Sequence, residues 1–228
     1  MRRTPGALAA LTFLLFLSGC ATVPFKEHER VSVSKMDPAE VVYRYSEALP
    51  QNINLLSSLV FRYNFIGKVS VLGTIEADTA SRWFSVVGVS PLGVKLFSVE
   101  ADDGGVRNQY VIPPMAGRGD LAGAVAGDIR RIYLDLVPSK GASVRKRADS
   151  IEFVEPSGEG FLVHVFAGPE GNLVMKKFYL HGELRWRVGY YEYTREGGRL
   201  YPGGTVLTDL ESGYELTVRI KKIYVRED

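Results

Sequence analysis

Few residues of this chain have the types and spacing that nucleophilic, acid–base or metal chemistry requires. The three histidines, His28, His164 and His181, are not spaced as ligands of one zinc ion. Ser-x-x-Lys, in which a lysine can activate a serine nucleophile, occurs at residues 32–35 and 143–146. Neither copy is expected on a helix, where the two side chains would share one face. The sequence therefore predicts no catalytic residue, no metal site, no cofactor and no enzymatic activity.

Cys20 is the only cysteine, and its surroundings indicate a specific chemical fate. Two arginines precede an apolar run at residues 6–17, which has about twelve residues where a membrane-spanning helix needs about twenty. A run this short, with these flanks, indicates a signal peptide. It ends in Leu17-Ser18-Gly19-Cys20, which resembles the lipobox of bacterial lipoproteins. The resemblance implies removal of residues 1–19 and covalent lipid on Cys20, which leaves no thiol for a disulfide.

The charge of the predicted mature chain excludes one class of partner. The full chain has 28 basic and 26 acidic residues, and removing Arg2 and Arg3 with the signal peptide leaves 26 of each. Nucleic-acid binding depends on an excess of lysine and arginine that neutralises phosphates. A neutral mature chain therefore predicts no nucleic-acid partner.

The residues after Cys20 divide into a predicted tether, 20–36, and a single predicted domain, 37–228. Residues 20–36 show no steady hydrophobic period, which suggests a connection between the lipid and the fold. The domain begins with a helix signal, because Asp37 can cap the helix that Pro38 starts. A second short helical piece is expected around Leu55, Leu56 and Leu59.

The rest of the domain is predominantly β in pattern. Alternation with a period of two indicates strands, and Gly-, Asp- and Pro-rich turns separate most of them. The predicted strand segments are 61–75, 83–89, 94–99, 110–112, 151–154, 161–166, 173–180, 184–193, 206–207 and 214–225. Several runs are apolar on both sides, so the sheet needs two covers or must curl around one face. This pattern predicts a curled antiparallel sheet, a half-barrel, covered by two or three helices.

One long helix is predicted in the middle of the chain, from Asp120 to about Val137. Its first half has Gly119, Gly123 and Gly127 at intervals of four residues. Each interior glycine costs roughly 1 kcal/mol relative to alanine. Close packing of the helix against the sheet is expected to offset that cost.

The segment Ser90-Pro91-Leu92-Gly93 has the chemistry of a type I turn between two strands. Serine in the first position, proline in the second and glycine in the fourth favour that turn. Leu92 is therefore predicted at the tip of a hairpin. An apolar side chain there has little to pack on, although single exposed leucines are common.

The order of these features resembles the LolB family of outer-membrane lipoprotein acceptors. The resemblance covers most of residues 38–228 and depends on the lipobox, the strand at 61–75, the Pro91-Leu92-Gly93 turn, the end of the central helix at 129–138, and the closing strands at 202–207 and 216–225. It implies a LolA/LolB-like fold whose apolar cavity takes the acyl chains of a cargo. It further implies that Leu92 projects outward and assists insertion of lipid into the membrane.

Alternation in the first half of the sheet suggests which residues face that cavity. The expected lining residues are Phe61, Tyr63, Phe65, Trp83, Leu96 and Phe97. The predicted protein is anchored by its lipid to the periplasmic face of the outer membrane. The predicted partners are the membrane, an acylated lipoprotein or lipid as cargo, and a LolA-like periplasmic carrier. The alternative is a lipid-binding or scaffolding envelope lipoprotein of the same fold that transfers nothing.

Overall fold

The structure is a computed structural model that describes residues 23–63, 67–116 and 119–225. The predicted signal peptide and Cys20 lie outside these residues, and so does Phe65. No helix among the described residues has the length and apolar character needed to cross a bilayer.

Twelve strands form one antiparallel sheet. They are β1 (Asn52–Tyr63), β2 (Gly67–Asp78), β3 (Trp83–Val89), β4 (Lys95–Asp102), β5 (Gly105–Val111), β6 (Ser143–Lys146), β7 (Ser150–Ser157), β8 (Gly160–Ala167), β9 (Asn172–Leu180), β10 (Glu183–Glu196), β11 (Arg199–Asp209) and β12 (Tyr214–Ile223). The helices are α1 (Pro38–Ala48), α2 (Pro113–Ala116) and α3 (Leu121–Tyr133). Strands that follow one another in sequence pair, except β5 and β6, which form the two edges of the sheet, and β1 pairs with β12 to join the two halves, β1–β5 and β6–β12. The predicted curled antiparallel sheet with helices across it is confirmed.

The core lies between the concave face of the sheet and α3. On β1, Ile53, Leu55 and Leu59 face inward and are buried, and each pairs across the ladder with an inward residue of β2. Helix α3 contributes an apolar stripe that includes Val125 and Ile129, and it crosses from β4 and β5 to β11. Burial of this stripe positions α3 over the concave face.

The segment Leu55–Leu59 is a strand, and the predicted helical piece is wrong. A short run of apolar residues fits a buried helix or a strand equally well when it is judged by period alone. The structure shows alternation at Ile53, Leu55, Ser57 and Leu59, all buried, with less buried residues between them. The predicted segment 61–75 is likewise two strands, the end of β1 and most of β2.

Helix α3 starts where predicted and ends earlier than Val137. The Asp120 carboxylate accepts a hydrogen bond from the Gly123 backbone N–H at 2.8 Å, as an N-cap should. A Cβ atom on Gly123 would collide with that carboxylate, so the cap itself explains this glycine. Gly119 has φ +99°, while a Cβ on Gly127 would meet open space. The expected packing of all three glycines against the sheet is therefore wrong.

Residues 23–36, here called the N-terminal strap, pack against the domain. Phe25 is 7% exposed and its ring stacks on Tyr191 at 5.4 Å, and Val33 is fully buried in the core. The Arg219 guanidinium lies 4.4 Å above the Phe25 ring and donates to the Pro24 carbonyl oxygen at 2.7 Å. The interval predicted as a free tether therefore belongs to the domain from Phe25 onward, because its few apolar side chains find sites on the sheet.

Candidate functional site

A cavity of about 230 Å³ opens at the end of the sheet where β1 begins and α3 ends. Leu49 and Pro50 follow α1 at one side of it, and the chain that continues from α3 forms another side. Its lining is mainly apolar, and consists of Leu49, Pro50, Ile53, Leu55, Ile132, Tyr133, Leu134, Leu136, Val137, Leu200, Tyr201, Pro202 and Ile220, with Thr79, Arg82 and Asp135 as polar members. A concave, mostly apolar cavity with a few polar groups is the usual form of a small-molecule site.

An ion-pair group stands at the edge of this cavity. The Arg82 guanidinium contacts an Asp135 carboxylate oxygen at 2.6 Å and donates from Nε to Asp103 at 3.0 Å. Partial burial raises the pKa of Asp135, but the hydrogen bonds and charge of Arg82 outweigh it and hold that pKa below its ordinary value. The pair is half exposed, so it can open and close at small energetic cost.

Two buried hydroxyl groups provide the interior with polar character. The side-chain oxygens of Tyr133 and Ser57 are buried, and within the described residues neither makes a hydrogen bond of good geometry. Burial raises the pKa of Tyr133, and the nearby Ser57 hydroxyl opposes this only in part. Tyr133 therefore stays protonated, and its hydroxyl lies buried beside Ser57 while the residue lines the cavity.

The C-terminal end of α3 is fixed by buried donors from the sheet. Lys176 Nζ donates to the Leu134 carbonyl at 2.7 Å and to the Arg131 carbonyl at 3.1 Å. The Tyr190 hydroxyl donates to the Ile132 carbonyl at 3.0 Å. These carbonyls are the groups that a helix end leaves without partners, and a cation there also complements the helix dipole. Helix α3 therefore ends at Tyr133, because side chains of the sheet bind the last carbonyl groups of the helix.

Burial lowers the pKa of Lys176 to about 8, while the charges of Asp135 and Glu155 oppose the shift. The ammonium group is still the major form at neutral pH. Asp135, just past the end of the helix, has φ +51°, a left-handed conformation that is uncommon outside glycine. The turn that forms the cavity wall is thus shaped by the same interactions that anchor the helix.

His164 is the histidine that comes closest to a carboxylate. Its Nδ1 lies 3.5 Å from a Glu155 carboxylate oxygen, and its Nε2 lies 2.8 Å from the Asp135 carbonyl oxygen. The ring is fully buried, and burial lowers the pKa of His164. A substrate cannot reach this buried pair. The contact of His164 with the Asp135 carbonyl oxygen instead helps to hold the segment that follows α3. No group of three or more His, Cys, Asp and Glu side chains in the described residues is arranged to hold a metal ion.

Beneath the middle of α3 the interior is filled. The remaining void there is about 20 Å³, little more than the space for one water molecule. Phe61 and Phe97, two of the predicted lining residues, face this void together with Ile129 and Ile132 of the helix. Ile132 and Tyr133 line both this void and the larger cavity, so the two form one interior divided by side chains.

The other predicted lining residues lie elsewhere. Tyr63 is half exposed at the end of β1, where its ring packs on Tyr214, and Leu96 packs at the margin of the core. Trp83 is on the outer face of the sheet, where its indole N–H donates to Glu100 at 3.1 Å. Trp83 was assigned to the wrong face of β3. That strand is apolar on both faces, so alternation does not say which set of residues points inward. The residues that line the larger cavity come mostly from segments between regular elements, where no period exists.

The Pro91-Leu92-Gly93 turn has the predicted geometry. The Gly93 backbone N–H donates to the Ser90 carbonyl oxygen at 2.9 Å, and Gly93 has φ +82°. Leu92 is 92% exposed. A type I turn followed by a left-handed residue is a common three-residue hairpin loop, and it places the leucine side chain in solvent.

Leu92 is one member of a larger group of exposed apolar side chains. All of them lie at the end of the sheet opposite the cavity, which contains the β1–β2, β3–β4 and β11–β12 connections. We call this group the apolar rim, and it consists of Tyr63, Val69, Leu92, Val94, Phe161 and Leu210. What these residues share is the end of the sheet at which they are exposed.

Comparison with solved structures finds the same architecture in another protein. A LolA superfamily protein from Nitrosomonas europaea superposes with a TM-score of 0.56 at 12% identity, over 87% of this chain and 95% of that one. The fold is LolA-like. A putative outer membrane lipoprotein-sorting protein domain from Vibrio parahaemolyticus (9% identity) and a DUF1329 family protein from Desulfovibrio piger (7% identity) each give a TM-score of 0.46 over 81% of this chain and 90% of theirs. No protein-family model and no curated protein sequence matches the chain.

The buried side chains of the sheet that bind the end of α3 were not predicted from the sequence. Lys176 and Tyr190 are fully buried on β9 and β10. One signal was present in the sequence, since Lys176 and Lys177 interrupt an otherwise apolar strand, but the sequence does not say which of the two lysines is buried. Its partners are backbone carbonyls 42 and 45 residues away, and nothing in the sequence identifies them.

Proposed function

We propose that this chain is a lipoprotein of the bacterial outer membrane that accepts acylated cargo in its apolar interior and releases it into that membrane, as a LolB-like acceptor does. The observation that carries the proposal is the cavity at the end of α3, lined mainly by apolar side chains. The LolA-like fold and the exposed Leu92 turn are in keeping with it. No step in this function requires a catalytic residue or a cofactor other than the lipid on Cys20.

The cavity as it stands is small for a whole acyl chain, because ligand sites usually measure about 300–1,000 Å³. The filled space beneath α3 is its natural extension, since Ile132 and Tyr133 border both. Cargo would lengthen the cavity by displacing the helix from the sheet. The extended interior would then run along the strands toward the apolar rim, where Leu92 would meet the bilayer.

Filling the cavity should abolish binding of an apolar probe. Leu136→Trp places a larger side chain where the lining leucine stands, and we expect the affinity for a dansyl-labelled fatty acid to fall about tenfold or more. The full chain would be kept in a fluorinated surfactant, whose chains mix poorly with hydrocarbon, and probe fluorescence would be titrated. Val144→Trp, at an exposed position on β6, is the matched control and should bind as the unaltered chain does. Equal binding by both variants would contradict the cavity assignment.

The anchor is tested at Cys20. Cys20→Ser should yield a full-length precursor without lipid, because no other thiol can accept the diacylglyceryl group. Mass spectrometry of the purified protein and separation of membranes on a density gradient measure this directly. The unaltered chain should fractionate with the outer membrane, since Ala21 follows Cys20 where inner-membrane lipoproteins of enteric bacteria commonly have aspartate. A processed, membrane-bound Cys20→Ser protein would refute the lipoprotein assignment.

Delivery by a soluble LolA-like carrier in the periplasm completes the proposal. The second candidate, a binding or scaffolding lipoprotein without transfer activity, is favoured by one observation, the filled interior beneath α3. The two functions differ in what happens to bound cargo when a membrane is offered. The Leu92 variant described in the Discussion separates them.

A further inference from the structure

A second concavity, about 550 Å³ in volume, lies beside the apolar cavity at the same end of the sheet. The two share Pro50, Ile53 and Tyr201 in their walls. We call the second concavity the polar groove. The apolar cavity and the polar groove therefore adjoin at these three residues.

The floor of the polar groove is a set of cross-strand pairs on the outer face of β1 and β2. Asn54 pairs with Glu76, and Asn52 pairs with Asp78, which in turn pairs with Trp83 of β3. Side chains paired in this way have Cβ atoms about 4.5–5.5 Å apart. Amide and carboxylate groups therefore stand at the spacing that neighbouring substituents of one small polar ligand require.

The groups in the groove are available to a ligand. Within the described residues, the side chains of Asn54 and Glu76 make no hydrogen bond or ion pair. The indole N–H of Trp83 is bonded to Glu100, so Trp83 offers the groove its ring. Tyr224 lines the opposite wall and is 41% exposed; Lys222 Nζ lies 4.7 Å from its ring centroid and covers one face, so Tyr224 offers the groove its other face. An aromatic ring face carries negative charge density, which favours contact with polarised C–H groups.

The charge of the groove opposes an anionic ligand. Glu76 is an exposed acidic residue, and hydrogen bonds from Ser81 and Ala80 hold the pKa of Asp78 below its ordinary value. Arg199 is the basic group in the wall, and its guanidinium already donates to the Glu47 carbonyl oxygen at 2.8 Å. A phosphate here would meet two like charges, which is unfavourable.

We propose that the polar groove binds the sugar headgroup of an uncharged glycolipid whose acyl chain occupies the apolar cavity. Hydroxyl groups are both donors and acceptors and can pair with amides and carboxylates alike, and the ring C–H groups of a sugar can pack on Trp83 and Tyr224. The inference rests on the proposed function, because it requires the cavity to hold hydrocarbon, and it narrows the cargo to one class of lipid.

The test compares ligands that share one chain and differ in their headgroups. Dodecyl maltoside, dodecyl phosphocholine and a lauroylated tripeptide, each below its critical micelle concentration, would displace the dansyl-labelled fatty acid from the full chain. We expect the maltoside to displace the probe at about tenfold lower concentration than the other two, as a few added hydrogen bonds allow. The double variant Asn54→Ala/Glu76→Ala should lose this preference and keep its affinity for the phosphocholine. Thr74→Ala, on the same face of β2 but outside the groove, should keep the preference.

Each other result has a definite meaning. Equal displacement by all three ligands, or a maltoside preference that survives in the double variant, would overturn the sugar subsite and leave the proposed function intact. Tighter binding of the phosphocholine would assign the groove to a charged headgroup, and tighter binding of the tripeptide would assign it to the peptide part of a lipoprotein. Either outcome overturns the inference. If the unaltered chain binds neither probe nor competitors, the hydrocarbon cavity and the proposed function both fail.

Discussion

Leu92→Glu should give a protein that folds, loads cargo and cannot release it. Leu92 is 92% exposed at the tip of its turn, so its replacement should change the free energy of unfolding by under about 0.5 kcal/mol. Inserting a leucine into a membrane gains roughly 1.5–3 kcal/mol, and a carboxylate there is costly. Loss of that gain alone corresponds to about a tenfold or larger decrease in the rate of release.

The measurement is transfer of a fluorescent acylated peptide from the loaded protein to liposomes, with loading measured separately. Val144→Glu is the matched control, since Val144 is an exposed apolar residue on β6, at the opposite edge of the sheet from the β3–β4 turn. Normal transfer by Leu92→Glu would favour the binding or scaffolding lipoprotein over the acceptor. Unfolding of Leu92→Glu would instead show that the side chain is part of the core.

Phe25→Ala should destabilise the domain by about 3 kcal/mol, although Phe25 belongs to a segment without regular structure. Truncation of a buried phenylalanine typically costs 3–5 kcal/mol, and this ring lies between Tyr191, the backbone of Gly204 and the Arg219 guanidinium. Denaturant unfolding of the purified full chain measures the loss. Phe161→Ala provides the comparison, because Phe161 is half exposed and should contribute little.

The same contact can be broken from its other side. A Cβ atom on Gly204 would overlap the Phe25 ring, so Gly204→Leu should displace the strap without altering it. We expect a similar loss of stability, and new cleavage by trypsin after Lys26 or Arg30, which the docked strap now holds against the domain. If both variants are as stable as the unaltered chain, the strap does not dock in solution.

The strands illustrate what the sequence alone predicts well. The bounds of β3 were predicted at Trp83 and Val89, because the apolar run there ends at the Ser90-Pro91 turn signal. Strand β12 was predicted from Tyr214, because one solvent-exposed face gives a strict period of two. The segment at Leu55 failed because β1 carries apolar or small residues on both faces, so its period is weak. Helix caps depend only on neighbouring residues, and the caps at Asp37 and Asp120 were predicted correctly.

The candidate site was less predictable, because it depends on contacts between distant segments. The cavity wall is formed by the turn at Leu134–Val137, and that turn exists because Lys176 binds carbonyls there. Phe25 and Val33 looked like residues of a tether, since two apolar side chains in a polar stretch show no period. In both cases the partner lies far along the chain, and only the three-dimensional arrangement of the sheet brings it near.

The docked strap has a consequence for where this protein can work. Four residues lie between Cys20 and Phe25, which makes five steps along the chain, and an extended chain spans at most about 3.6 Å per step, so a lipid on Cys20 would hold Phe25 within roughly 18 Å of the membrane. If Cys20 carries the proposed lipid, the domain would stay within a thin layer next to one bilayer and could not cross the envelope to collect cargo. A diffusing carrier would then have to bring the cargo. The anchored protein would receive that cargo at a fixed place, and the total rate of transfer would depend on the density of this protein on the membrane.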